Sequence, residues 1–226
     1  MVEHYINRSN WVRAAVLGAN DGILSTASIA IGVAAATSDR TAIILATLSG
    51  LVAGALSMAA GEYVSVSSQT DIEQADMKRE QKELEEVPEL ELMELAKIYE
   101  KRGVHKETAL EVAKQLTAHD AIGAHMRDEL GVNEMNQANP IQAAAASGAA
   151  FTFGALLPLL VSMFLPLAHM VYYQYTFAIL FLAALGAMAA KAGGSGFMKA
   201  MIRITFWGTA VMGLTALVGY LFGINM

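Results

Sequence analysis

The sequence predicts an all-α membrane protein, with five membrane-spanning helices and a small helical cytosolic domain inserted between the second and the third. Two observations carry this. Charge is segregated, since 17 of the 21 acidic residues and 9 of the 15 Lys and Arg fall between Ser67 and Gln142. Outside that window the chain is almost continuously apolar: 55% of all residues are hydrophobic and only 16% charged, where a soluble domain carries about 25%. The organisation reads as 1–66 for the N-terminal segment and helices 1 and 2, 67–142 for the inserted domain, and 143–226 for helices 3 to 5.

Ala14–Ala36 is a long apolar segment interrupted by Asp21. That interruption, with no cleavage pattern after it, argues against a secretory signal. Ala42–Gly61, Ala143–Leu165, Met170–Ala190 and Ile204–Phe222 are free of charge and each reach the about 20 residues that cross a hydrocarbon core. Gly and Ala are frequent in all five, which lets helix backbones approach where packing drives association. Pro158 inside the third span is expected to kink it. With the N-terminus in the cytosol, Arg8, Arg13, the charged window, Lys191, Lys199 and Arg203 lie inside and only Arg40 outside, so 14 of the 15 basic residues obey the positive-inside rule.

The window itself has no alternating pattern and reads as helical. Ser67–Glu86 continues the second span up to Pro88. Glu89–Lys101, Lys106–Thr117 and Asp120–Leu130 follow, broken near Gly103 and Gly131. Leu92, Leu95, Ala96 and Tyr99 form one apolar face, and Ala109, Leu110, Ala113 and Leu116 another. So small a domain is near the lower limit for an independent core, and dimerisation or a bound metal would help it.

Composition excludes several functions. There is no cysteine, hence no disulfide scaffold, thiolate metal site or cysteine nucleophile. The net charge of −6 and the lack of a basic stripe argue against nucleic acid as a partner. The window sums to −8 (9 minus 17), so its natural partner is a cation.

Asp21 is the first chemical signal. A carboxylate within a span costs several kcal/mol and belongs beside a partner or a water-filled path; the blander alternative is a protonated Asp bonded to a neighbouring helix. Gly22 beside it leaves room for a second backbone or a hydrated ion. The second helix extends the signal. With Met58 as zero and about 100° per residue, Glu62, Gln69, Glu73, Asp76, Glu80 and Glu83 all fall within about 60° of it. Like charges at these spacings repel, and a bound cation would relieve them. Glu73 and Asp76 read equally well as a solvated face. Met58 reads equally as packing or as a soft ligand that suits a first-row transition ion. Glu91 and Glu94 share a face at i, i+3, and His125 and Glu129 at i, i+4, with Met126 adjacent; such pairs are also common on wet surfaces. Asp120, Asp128 and His119 read as a helix cap and surface groups, and His105 and His169 as structural.

The motifs Asn20–Leu24 (NDGIL), Gly50–Gln69 (GLVAGALSMAAGEYVSVSSQ), Met77–Glu80 (MKRE), Glu91–Tyr99 (ELMELAKIY), Ala118–Asp120 (AHD), Arg127–Gly131 (RDELG) and Asn139–Ala146 (NPIQAAAA) run in order along nearly the whole chain. Together they resemble the vacuolar iron transporter family. The resemblance implies a homodimer of five-span protomers with the ion path between the copies. It implies export of Fe²⁺ from the cytosol in exchange for protons, with Mn²⁺ and other divalent ions such as Zn²⁺ or Co²⁺ as further cargo. By matching motifs, Asp21 and Met58 would line the path. Glu80, Glu83, Glu91, Glu94 and Glu129 would belong to a cytosolic metal-collecting domain, with His125 or Met126 as its softer ligand. Asp21 or Glu62 would exchange protons for metal. No prosthetic group is implied. The partners are lipid, a second copy and the transported ion, and the expected location is a prokaryotic plasma membrane, or a vacuolar membrane in a eukaryote.

The sequence has no P-loop, so an ATP-driven pump is not expected. Against transport stands a membrane-anchored ferroxidase or iron store, an enzyme-class reading that lacks the paired Glu-x-x-His of di-iron bundles. A metal sensor or scaffold with a mere membrane anchor would have no reason to keep Asp21.

Overall fold

In the computed structural model, residues 9–131, 139–192 and 196–223 are described; Arg8, on which the orientation argument partly rests, lies outside them. Every element among the described residues is helical: α1 Ser9–Ala36, α2 Arg40–Glu86, α3 Pro88–Lys101, α4 Lys106–Asp128, α5 Pro140–Phe164, α6 Met170–Ala192 and α7 Phe197–Gly223, with one 3₁₀ turn at Leu167–His169. Five helices (α1, α2, α5, α6 and α7) are long and apolar enough to cross a membrane. α2 is 47 residues long, more than twice the about 20 residues that cross a hydrocarbon core. Its charged half has no place in lipid.

The chain divides into two compact units, residues 1–63 with 141–226, and residues 64–140. In the first, α1 is the central element. Its residues Ala19, Ile23, Ala27 and Ile31 pack with Ala178, Leu182 and Leu185 of α6 and Met212 of α7. Ala30 meets Ile43 of α2, Val161 of α5 and Met170 of α6. Leu51 of α2 packs on Phe151, Ala155 and Leu159 of α5, with Met58 at the margin. Glycine makes the α1–α5 contact possible: a Cβ on Gly154 would meet the backbone of Ala19, and one on Gly22 the backbone of Phe151. Such approach is what lipid-embedded packing favours.

Pro158 lies inside α5, and polar side chains gather on its carbonyl. Gln174 Nε2 donates to it at 2.9 Å and to Ser162 Oγ at 2.7 Å, while Ser162 Oγ donates to it at 3.1 Å. Both side chains are fully buried. At the C-terminal end of α5 the Arg40 guanidinium donates to the carbonyls of Ser162, Met163 and Leu165 at 3.2, 2.7 and 2.8 Å. A helix end leaves its last carbonyls without intrahelical partners, and Arg40 supplies them.

In the second unit, Pro88 opens α3 within its first turn, where its missing N–H costs nothing. Gly103, at φ +95°, ends the run in a left-handed conformation that glycine adopts without strain. Leu95 and Ala96 of α3 pack on Ala113 and Ala124 of α4, flanked by Leu92, Ile98, Tyr99, Leu110 and Leu116. The two apolar faces expected from sequence are thus the ones that meet. The two helices expected at 106–117 and 120–130 follow one another within Lys106–Asp128 and meet at a kink at Asp120, whose backbone is extended (φ −161°, ψ 91°). Asp120 Oδ1 accepts from the Gly123 N–H at 3.0 Å, so it caps the second segment as its residue type favours.

Candidate metal centre

The helices of the second unit bring four of the expected ligands together. Glu80 comes from α2, Glu91 from the first turn of α3, and His125 and Glu129 from the last turn of α4; one ligand atom from each lies within 4.8 Å of all the others. Glu80, Glu91 and His125 are buried. Three carboxylates converge on one nitrogen: His125 Nδ1 lies 2.8 Å from Glu80 Oε1, 3.1 Å from Glu129 Oε2 and 3.7 Å from Glu91 Oε2. For metal bonds of about 2.1 Å, neighbouring ligands stand about 3.0 Å apart in an octahedron and about 3.4 Å in a tetrahedron. The observed spacings straddle those values.

Hydrogen bonding alone does not account for the cluster. Nδ1 has hydrogen-bond geometry with Glu129, while Glu80 Oε1 and His125 Nε2 are buried with no hydrogen-bond partner. A buried, unsatisfied carboxylate oxygen is costly. Burial first, and then the neighbouring charges of Glu129, Glu91 and Glu83, push the Glu80 carboxyl up to about 7, with His125 pulling the other way. Burial and then Glu94 raise Glu91 likewise, again opposed by His125. A divalent cation at the centre would remove the repulsion and give Glu80 Oε1 a partner. Three hard oxygens and one borderline imidazole suit Fe²⁺, Mn²⁺, Co²⁺ or Zn²⁺.

Other expected ligands stand apart. Glu83 is 40% exposed and pairs with Arg79 Nε at 3.3 Å. Glu94 is exposed and lines a surface groove with Lys97, Lys101, Asp128 and Glu129. Met126 is half-buried beside His125.

Sequence reasoning missed one group beside the centre. Asp128, read as a surface residue, is held by Tyr99 Oη at 2.7 Å and Arg102 Nη1 at 2.8 Å, and its side chain is only 9% exposed. Burial would raise its carboxyl, but the bonds from Arg102, Tyr99 and Arg127 prevail and hold it below the usual range. The available signal was the aromatic–basic pair Tyr99 and Arg102 at the end of α3.

In the first unit, Asp21 and Met58 line one groove of about 480 Å³ with Ser25, Gly50, Ser57 and Phe151. Ser25 Oγ donates to the Asp21 carbonyl at 2.6 Å, which leaves the Asp21 side chain to the groove. In the single chain this wall is open, and Asp21 is exposed. Glu62, half-buried one turn beyond Met58 on α2, is not among the residues lining it.

Residues 12–220 match the model of the VIT family. A vacuolar iron transporter of Acanthamoeba castellanii is 44% identical over 218 residues, covering 96% of this chain and 80% of its own length. Vacuolar iron transporter homolog 2 of Arabidopsis thaliana is 37% identical over 223 residues, 95% of this chain and 88% of its own. Vacuolar iron transporter homolog 5 of Oryza sativa subsp. japonica is 36% identical over 214 residues, 92% and 78% respectively. With a match across nearly its whole length and five helices apolar enough to span a bilayer, the chain is an integral membrane protein that belongs to the VIT family.

Proposed function

We propose that this chain transports a divalent metal ion, Fe²⁺ first among the candidates and Mn²⁺ second, from the cytosol across the membrane in exchange for protons. The observation that carries this reading is the convergence of Glu80, Glu91, Glu129 and His125 on one point, with Glu80 Oε1 buried and without a hydrogen bond. The inserted unit faces the cytosol and collects the ion there. The Asp21–Met58 groove passes it through the bilayer, a carboxylate and a thioether forming a mixed site for a first-row ion. Proton exchange falls to Asp21 or Glu62, since a carboxylate in low dielectric binds either a proton or a metal.

A homodimer follows from the cost of the open groove. An ionised side chain facing lipid at mid-bilayer costs about 2.5–3.5 kcal/mol or more, and Asp21 is exposed in the single chain. A second copy closing the groove would remove that cost and enclose the path. The storage or ferroxidase reading has less support: the four-residue cluster has one imidazole, where a di-iron carboxylate site uses two Glu-x-x-His pairs and two further Glu.

The test is uptake into proteoliposomes with an Fe²⁺-sensitive dye inside and an imposed pH gradient, with the wild type compared against Asp21→Ala. Gradient-dependent signal in the wild type and its loss in the variant is the expected result. Equal uptake by both, or none by either, would overturn the mechanism.

A further inference from the structure

The centre described above depends on a helix end. His125 and Glu129 lie on the last turn of α4, where Glu129 is the C-terminal cap residue and its N–H donates to the His125 carbonyl at 2.9 Å. Gly131, at φ +69°, follows two residues later. Last turns fray, because their carbonyls lack intrahelical partners. A ligand pair in such a turn needs an external tie to keep the sub-ångström placement that metal sites require.

Asp128 provides that tie. It lies between the two ligands in sequence, and α3, which carries Glu91, grips it from the side. Tyr99 Oη donates to Oδ2 at 2.7 Å, and Arg102 Nη1 donates to Oδ1 at 2.8 Å. Arg102 Nη2 also reaches the Asp128 carbonyl at 3.4 Å, so the guanidinium holds both side chain and backbone of this residue. The same guanidinium sits over the Tyr99 ring, 5.2 Å from its centroid, which fixes the fork in place. Arg127 Nη2 adds a bond at 3.3 Å.

We propose that Asp128, clamped by Tyr99 and Arg102, is a positioning residue of the metal centre: it docks the last turn of α4 onto α3 and so sets Glu129 and His125 opposite Glu91. This rests on the reading of the four-residue cluster as a metal centre. Residues behind the ligands typically change metal affinity by about 10–100-fold when removed, and this one acts through the backbone of its neighbour. The effect should therefore pass mainly through Glu129.

The experiment is a double-mutant cycle on the full chain in detergent, read by Co²⁺ affinity and by the intensity of the visible Co²⁺ bands, with helicity checked by circular dichroism. Asp128→Ala should weaken Co²⁺ by about tenfold or more and change the band intensity at unchanged helicity, with Tyr99→Phe showing a smaller loss in the same direction. Glu129→Gln should cost little further in the Asp128→Ala background, whereas Glu80→Gln should still cost its full amount. Unchanged affinity and spectrum in Asp128→Ala and Tyr99→Phe, or fully additive losses with Glu129→Gln, would overturn the positioning role while leaving the centre standing. If Asp128→Ala does not fold, Tyr99→Phe and Asp128→Asn decide by the same criteria. A wild type whose Co²⁺ binding is indifferent to Glu80→Gln would instead overturn the metal centre, and the positioning role with it.

Discussion

His125 Nδ1 stands 2.8 Å from Glu80 Oε1, yet the same nitrogen has hydrogen-bond geometry only with Glu129. One N–H cannot serve three carboxylates. Glu80 Oε1 is left buried without a hydrogen bond, and its carboxyl is pushed up to about 7. The pair marks where the protein alone is incomplete and where a cation would be complementary.

Metal binding at this centre should therefore depend on pH near neutrality. A ligand must be deprotonated to bind, so each ion taken up below about pH 7 displaces the Glu80 proton. Affinity should fall by up to about tenfold per pH unit on acidification below that point, and level off above it. Titration of Mn²⁺ or Co²⁺ into the detergent-solubilised chain at pH 5.5 to 8, each value chosen on the order of half a unit apart to bracket the transition, would check this. A flat profile across the range would remove Glu80 from the ligand set.

The metal-free protein should show the opposite sign in its stability. Unfolded, Glu80 ionises near 4.5; folded, it keeps its proton to about 7. Between these values the folded state binds more protons, so stability is fully present below the lower value and is lost as pH rises through the upper one. Glu91 is shifted in the same direction. Thermal unfolding of the inserted unit, followed in the full chain without metal, should give a Tm that falls from pH 5 to pH 7.5, about the width of that window. Glu80→Gln should flatten the fall, and added Mn²⁺ should reverse it for the wild type alone. A wild-type Tm that rises over this interval would contradict the assignment.

Legibility in the sequence followed the reach of each signal. Apolar length and charge segregation are local, and α1, α2, α5, α6 and α7 were readable from them. The faces of α3 and α4 were readable because Leu92, Leu95, Ala96 and Tyr99 recur at helical spacing in the one, and Ala109, Leu110, Ala113 and Leu116 in the other. The angular argument along α2 placed Glu80 and Glu83 on one stripe, but a periodicity cannot say which of two neighbours the α3–α4 pair will cover. Glu80 is buried and Glu83 remains with Arg79 in solvent. Asp128 was missed because its partners, 26 and 29 residues away, share no local pattern with it. Gln174 and Arg40 were passed over for the same reason, since their acceptors are on α5 or just beyond its end.

Backbone approach between α1 and α5 should be sensitive to one methyl group. A Cβ on Gly154 would collide with the Ala19 carbonyl, whereas one on Gly213 of α7 meets nothing within 4 Å. Overpacking of this kind costs about 1–3 kcal/mol, while Ala for Gly in an open helix position gains up to about 1 kcal/mol. Gly154→Ala should lower the detergent Tm and widen the Asp21 groove, which Phe151 of the same helix lines; Gly213→Ala should leave the Tm unchanged or raise it. Equal Tm values for the two variants would show that α1 and α5 are not in backbone contact.

Arg40 provides the last test, because its role is geometric rather than one of charge alone. Its guanidinium spans three carbonyls at and beyond the end of α5, with the bonds to Met163 and Leu165 at 2.7 and 2.8 Å coming from different nitrogens. Lysine keeps the charge at the helix C-terminus, and hence the favourable interaction with its dipole, but its single ammonium cannot present a planar fork. Hydrogen bonds from a charged donor contribute about 1.5–3 kcal/mol each when the partner would otherwise be unsatisfied. Arg40→Ala should lower the detergent Tm strongly, and Arg40→Lys should recover only part of the difference. Full recovery by lysine would mean that the dipole interaction suffices and that the fork contributes nothing.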